Sequence, residues 1–550
     1  MEKKEIVENI LSDFQYAETI RSKFHDRWAD TMRFISPSVY NWNNLDAIPY
    51  TPKRWSSVPI QYRGILINGL VGYSISPNIT WFKLSLEDTE QLKLYGVKDW
   101  LEEAESVMLA EFNRSNLYRE APKLIGSGVD IGHGVMFVDE DLSSGRLRFT
   151  NIRANEIYLD LNPYGEAKVV YRKYLMTLKA LVEHFGLENL NDNLRDKWKD
   201  IKQRNDTVTV LHAVFKREEY NPDLPDVLNM EYAGYFIDLD NKHLMKETGY
   251  ENFPYAVFLW EQIPGYPYSE SPANQALPDI KYLNTINDTS MKIAQTSAEP
   301  PLKASKDVLD IDITPRGITQ MDKDGILEPV RTGENYQVTL TVAETVKQAV
   351  RDWFSVDFFL MLQQKTGKMT ATEVMELQGE KAAVLTNVIV SLNSTLQSII
   401  QRCFNLLLKS GKIPMPPQSL MESPTQMKVD FVGPLSQAQK KYHELGGITE
   451  ALSTAIPIMQ AFPESGDYID ADQLMIKALQ GNAMPQSVIR EDKDVENIRK
   501  ARQQQQQAMM EQQMQQQQAD MLMSNYDKLS KKPENQSAIQ QMNAQMQGAI

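Results

Sequence analysis

The strongest constraint on this chain is a run of 41 residues, Thr370 to Ser410, with no proline and with Gly411 directly after it. Thr370-Ala371-Thr372-Glu373 opens the run as a capping box, in which the Thr and Glu side chains satisfy backbone N–H groups reciprocally. If helical throughout, the run spans about 60 Å at 1.5 Å per residue. Few compact monomeric domains can cover a helix that long.

Other helices are marked by apolar residues recurring every three or four positions. Ile6, Ile10, Phe14, Ala17, Ile20, Phe24, Trp28 and Met32 predict one helix over 3–34, stopped at Pro37. Further helices are expected from Ile60 to Tyr73, from Val97 to Phe112, and from Thr177 to Phe185 with Gly186 closing it. Ser271-Pro272 reads as a cap and first helical residue, and Pro278 kinks or restarts the helix that runs on to Ser297. A second capping box, Thr341 to Glu344, opens a helix with Val342, Val346, Ala349, Val350, Trp353 and Phe354 on one face.

Short apolar or alternating runs predict strands at Trp81–Leu84 and, between Gly134 and Ile237, at Val135–Val138, Leu147–Thr150, Ile157–Leu159, Val169–Tyr171 and Val208–Val214. A further strand is possible at Val308–Ile313. The chain is thus α+β and predominantly helical. The last 50 residues hold 16 Gln and 7 Met, which reads as either disorder or a polar helix.

Charge and chemistry exclude several classes. Over 550 residues, 58 Lys+Arg face 73 Asp+Glu, a net charge of −15. That argues against gripping nucleic acid over most of the surface, because phosphate binding needs net Lys and Arg. The lone cysteine, Cys403, excludes an internal disulfide framework and fits a buried thiol in a reducing compartment. No apolar run approaches the roughly 18 residues needed to span a bilayer, and no apolar signal core follows the N-terminus.

Thr366-Gly367-Lys368-Met369-Thr370 fails the phosphate-loop pattern, since Leu362 and Met369 stand where Gly and Ser or Thr are required. Gly126, Gly128, Gly132 and Gly134 fail the dinucleotide spacing and fit packing or turns. The histidines (His25, His133, His184, His212, His243, His443) show no metal-ligand spacing. Asp310 with Asp312 reads as strand alternation, and Asp322 to Gly325 as a turn. No catalytic residue, metal site or cofactor is expected.

Several segments, in order, resemble the head-to-tail connector (portal) proteins of short-tailed bacteriophages. They are Ser76-Pro77 with Trp81-Phe82-Lys83-Leu84, Ser115-Asn116-Leu117-Tyr118, Gly132 to Phe137, Tyr268 to Pro272 continuing through Ala276 to Asn284, and Pro300-Pro301-Leu302. Met369 to Val374, Gly433 to Gln439, Asp467 to Asp470, Ala483-Met484-Pro485 and Val495 to Arg502 follow. The likeness covers roughly residues 20–505. The sequence departs from the pattern at Glu270, where many relatives have a basic residue, and at Leu117, which replaces a commoner aromatic.

The resemblance implies a ring, usually of twelve copies, at one capsid vertex. Double-stranded DNA would enter and leave through it, driven by a separate terminase, and a tail adaptor would dock later. Capsid and scaffolding proteins would surround it in the virion, after synthesis in the host cytoplasm. The subunit would divide into a wing (1–268), stem helices (269–297 and 341–361) flanking a clip (298–340), a tunnel loop (362–369), a long wing-to-crown helix (370–410), a crown (411–502) and a Gln/Met-rich tail (503–550). In the tunnel loop, Lys365, Thr366, Gly367 and Lys368 would face the channel, or else form a solvated turn. The clip carries five basic residues, Lys303, Lys306, Arg316, Lys323 and Arg331, among seven acidic ones, which favours protein docking over DNA clamping. The competing reading is an acidic helical scaffold or adaptor without a channel.

Overall fold

The computed structural model describes residues 3–36, 54–88, 90–141, 145–221, 224, 226–306, 311, 326–329, 336–363, 385–421, 427–434, 446–462, 464, 469–481 and 492–530. Met1–Ile469 form one compact unit and Asp470–Ile550 a second.

The N-terminal apolar stripe forms two helices, α1 (Lys3–Ser22) and α2 (His25–Ile35), where one was expected. The stripe serves two different cores, which is why the helix breaks at Lys23-Phe24. Val7, Ile10, Phe14 and Ala17 pack against the tyrosines of a sheet, while Trp28 and Met32 pack beside Ile131, Val135 and Tyr268. Phe24 sits at the corner, stacked on Trp28 at 5.3 Å. Next come α3 (Val58–Ser74), strand β1 (Phe82–Leu86), α4 (Val97–Arg114) and α5 (Leu117–Ile131). Trp81, fully buried, stacks on Phe112 and donates from Nε1 to the Tyr118 hydroxyl at 3.3 Å.

Two antiparallel sheets occupy the strand-rich half. The strands β2 (His133–Asp141), β3 (Arg146–Ile152), β4 (Ile157–Leu161) and β5 (Ala167–Thr177) lead into α6 (Leu178–Phe185) and α7 (Asp192–Lys199). Then follow β6 (Thr207–Lys216), β7 (Tyr232–Asp238), β8 (His243–Tyr250) and β9 (Tyr255–Leu259). β4 to β8 form a five-stranded meander in chain order. Its strands alternate: Leu211 and Ala213 of β6 face α1, while Val208 and Val210 face Leu178, Leu181 and Leu194 of α6 and α7.

The second sheet has the order β3-β2-β9, and helical side chains close both of its edges. On β3, Asn116 beside α5 accepts from Phe149 N at 2.9 Å and donates to Phe149 O at 2.6 Å, and Glu120 accepts from Asn151 N. On β9, Thr395 donates to Val257 O at 3.1 Å and Ser391 donates to Leu259 O. Ser391 and Thr395 belong to α12 (Thr386–Lys409). Arg402 of the same helix, buried, donates from Nε to Val138 O at 2.6 Å and from Nη1 to Asn252 O at 2.8 Å.

The helix α5 was not foreseen. Gly126, Gly128 and Pro122 weaken its intrinsic propensity, and packing overrides that. A Cβ on Gly128 would lie 2.3 Å from the Phe258 ring, and Gly132 takes φ +90° to end the helix against Ser269.

After a two-residue ribbon, β10 (Glu261–Gln262) with β11 (Ser269–Glu270), come a single helical turn, α8 (Pro272–Gln275), and α9 (Leu277–Ala298). Pro278 therefore restarts the helix. A short ribbon, β12 (Leu302–Ala304) with β13 (Leu327–Pro329), follows, and α10 (Tyr336–Trp353) packs back on α9 through Val346 against Leu283 and Ile286. Thr341 caps nothing. It lies inside α10 and its hydroxyl donates back to Gln337 O at 3.0 Å, a bond open to a helix-interior Thr. Val350 and Phe354 are buried as expected, but Trp353 is 42% exposed. Ser355, at φ +49°, separates α10 from α11 (Val356–Gln363).

The long run is described as α12 only from Thr386, and Thr370 lies outside the described residues. Its apolar face (Ile389, Leu392, Leu396, Ile400) is buried by its own chain, and Gly411 at φ +72° follows it. Cys403 is fully buried, and burial pushes its thiol up. β14 (Met427–Phe431) pairs with β1, and α13 (Gly446–Ala461) completes the described elements of this unit. In the second unit, Asp472 of α14 (Ala471–Gly481) forms a bidentate pair with Arg499 of α15 (Asp492–Ser530). The polar-helix alternative for the Gln/Met segment thus holds as far as Ser530.

Two expectations follow. Thr395→Val removes one edge bond and should cost about 1–2 kcal/mol, whereas Arg402→Leu strips two buried carbonyls and should cost more, measured by urea unfolding. Glu105 on α4 is partly buried beside β1. Burial raises its carboxyl to about 7, against the opposing pull of Lys83. The folded chain holds that proton more tightly than the unfolded one, so stability should fall as pH rises from about 4.5 to about 7 and level off above. Glu105→Gln should abolish that slope, and melting curves across pH 4–8 would reveal a persisting one.

Candidate functional site: the root of the helical hairpin

The segment Tyr268 to Asn284, the most specific part of the resemblance, is where α8 and α9 leave the sheets. Several polar residues in it have definite partners. Ser271 caps α8 by accepting from Asn274 N at 2.9 Å, and its hydroxyl donates to Asp130 O at 3.0 Å. Thr31 of α2 donates to Asn274 Oδ1 at 2.7 Å. Lys281 reaches Asp30 at 2.6 Å, and Trp55 N donates to Asn284 Oδ1 at 2.8 Å. Glu270, the departure from the family pattern, makes a two-pronged pair with Arg27, both bonds at 2.6 Å.

Asp130 is the centre of this root. It is 3% exposed, near the end of α5. Arg63 donates to it from Nε at 2.5 Å and from Nη2 at 2.7 Å, and Ser36 adds a bond at 2.9 Å. A buried carboxylate requires such compensation. The sequence holds one sign of it: Asp130 interrupts the apolar stretch Ile125 to Ile131, where a lone acid must find a buried partner.

Tyr268 fills the space beneath, fully buried. Its ring lies 5.0 Å from Trp28 and 5.1 Å from His133, and burial raises its phenol. Burial, and then Arg21, pushes His133 down to about 3, so the imidazole is neutral at physiological pH. His212 is likewise held at about 3 by burial, bonded to the Tyr255 hydroxyl at 2.7 Å.

Of the predicted docking residues, Lys303 lies on β12 opposite Glu328, and Lys306 is exposed just beyond it. Arg316, Lys323 and Arg331 lie outside the described residues, as do Lys365, Thr366, Gly367 and Lys368 of the predicted tunnel loop. So do Asp310, Asp312, Asp322 and His443. Among the described residues, no group of three or more His, Cys, Asp or Glu is placed to hold a metal, and no helix is long and apolar enough to cross a membrane.

The geometry is that of a helical hairpin, α9 with α10, anchored to an α+β body by a buried polar root. The chain belongs to the bacteriophage head to tail connecting protein family, whose model matches residues 7–489. It is 26% identical to the portal protein of Salmonella phage epsilon15 over 509 residues, 90% of this chain and 91% of that one. It is 26% identical to a probable portal protein of Bordetella phage BPP-1 (74% and 75% covered) and 21% identical to the portal protein of Enterobacteria phage T3 (75% and 77% covered). The resemblance read from the sequence is thereby borne out.

Removing the root's charge tests its weight. Asp130→Ala leaves Arg63 opposite an empty site and should cost about 3 kcal/mol. Ser271→Ala, losing a cap and one bond to α5, should cost about 1–2 kcal/mol. Urea midpoints of the two variants would rank them.

Proposed function

We propose that this chain is the portal of a short-tailed phage: a ring, with twelve copies as the expected number, lining a channel at one capsid vertex. Family membership across residues 7–489 carries this reading. The hairpin of α9 and α10, joined through the β12–β13 ribbon, supports a stem (269–297 and 341–361) with a clip (298–340) at its tip. Residues 1–268 then form the wing, 362–369 the tunnel loop, 370–410 the long helix, 411–502 the crown and 503–550 the tail.

Double-stranded DNA passes through the channel during packaging and ejection, and the ring itself catalyses nothing. Lys365 and Lys368, beside Gly367 and Thr366, make weak contacts with passing phosphates. The net charge of −15 per copy keeps duplex DNA from adhering more widely. Lys303, Lys306, Arg316, Lys323 and Arg331 belong to a docking surface used by the terminase first and a tail adaptor later. Capsid and scaffolding proteins contact the wing.

Negative-stain images of the purified protein test the central claim. Rings with a central hole are expected, and compact or filamentous particles would favour a scaffold instead. In rings, Lys365→Ala with Lys368→Ala should leave assembly intact and lower DNA packaged or retained. Unchanged packaging would remove the lysines from the channel.

A further inference from the structure

A groove opens between the base of the hairpin and the head of α12. It holds about 590 Å³, walled by Trp260 and Pro272 on one side, Ala349 and Trp353 on another, and Leu385 with Val388 at the start of α12. Its surface is mixed in one particular way. Trp353 is 42% exposed, unusual for an indole whose neighbours Val350 and Phe354 are fully buried. Its Nε1 is occupied by Asp279 at 3.2 Å, which fixes the ring. Val390, two residues beyond the groove, is 60% exposed.

The rim carries charge of one sign. Glu261 and Asp352 line the groove, and no Lys or Arg among the described residues does so. Neither of these acids, nor Asp279, is held in an ion pair with Lys or Arg among the described residues. Asp352 instead accepts from Gln348 at 2.9 Å. An apolar aromatic floor with carboxylates at the lip suits a side chain with an aliphatic stem and a cationic head. The stem buries on the indoles, while the head meets both the ring face and the carboxylates.

We infer that this groove receives a lysine- or arginine-bearing segment of a second copy of this chain, so that it is a copy-to-copy contact. The inference rests on the ring reading above. In a cyclic ring each contact is heterologous: one face of a copy meets a different face of the next. An acidic groove on one face therefore calls for a basic feature elsewhere on the same chain. Such features exist, Arg146 and Arg148 on β3 being exposed and in no ion pair among the described residues.

The test uses the full-length protein. Glu261→Lys combined with Asp352→Lys reverses the rim at two exposed positions. The assembled fraction should fall at least tenfold by mass photometry at a concentration where the unaltered chain is fully assembled. In the unaltered ring, hydroxyl-radical footprinting should oxidise Trp353 no faster than the buried Trp28 and Trp81. A folded double variant that assembles normally, or rapid oxidation of Trp353 within the unaltered ring, would overturn the inference while leaving the ring intact. If the unaltered chain forms no ring at all, the portal reading fails first, and this contact fails with it. Should the double variant misfold, the Trp353 footprint decides alone.

Discussion

Closure of the three-stranded sheet at both edges is the constraint from which the rest of the first unit follows. An open edge presents a row of unpaired backbone groups that would otherwise recruit another strand. Here helices take the place of strands. Residues four apart on a helix rise about 6.0 Å, and residues two apart on a strand rise about 6.8 Å. Asn116 and Glu120 can therefore read Phe149 and Asn151 as ladder partners, and Ser391 and Thr395 can read Leu259 and Val257. This near-match of rises fixes α5 and α12 in register with the sheet. A one-turn slip of either helix would leave buried backbone groups without partners, which is costly.

The register of α5 sets the direction of the hairpin. Once Asn116 and Glu120 are matched to β3, Asp130 falls three turns further along, under the start of α8. Its carboxylate must then be neutralised, which Arg63 of α3 does, and its carbonyl accepts from Ser271. Charged groups buried in this way add little net stability over apolar packing, because desolvation offsets most of the attraction. What they add is direction: Asp130 is satisfied in one geometry, and that geometry aims α9.

Much of this was readable in the residues, and the failures have physical causes. Short apolar or alternating runs gave the strands between Val135 and Val214, because covered sheet faces take apolar side chains, as in the unbroken run Val135 to Val138. The stripe from Ile6 to Met32 was read correctly as apolar but wrongly as one helix, since periodicity does not say which core a side chain enters. α5 escaped because Gly126 and Gly128 argue locally against a helix, while the close approach to Phe258 that requires Gly128 is tertiary. Thr341 matched a capping box whose partner, Glu344, instead pairs with Lys347 on the same helix. At the root, Ser271-Pro272 was legible as a cap, but Thr31, Ser36 and Arg63 act across more than 60 residues of sequence, and no local pattern marks them.

The hairpin is held unevenly along its length. At the root, Asp130, Ser271, Asn274 and Thr31 are buried and mutually bonded. Further out, α9 and α10 meet through a small cluster of Leu283, Ile286 and Val346. At the far end the ribbon strands are three residues each, with Leu302 38% and Ile326 48% exposed. Local stability follows buried contact, so it declines from root to ribbon. The root fixes the direction of α9, while the described ribbon strands, with Leu302 and Ile326 exposed, add little buried apolar surface to the fold.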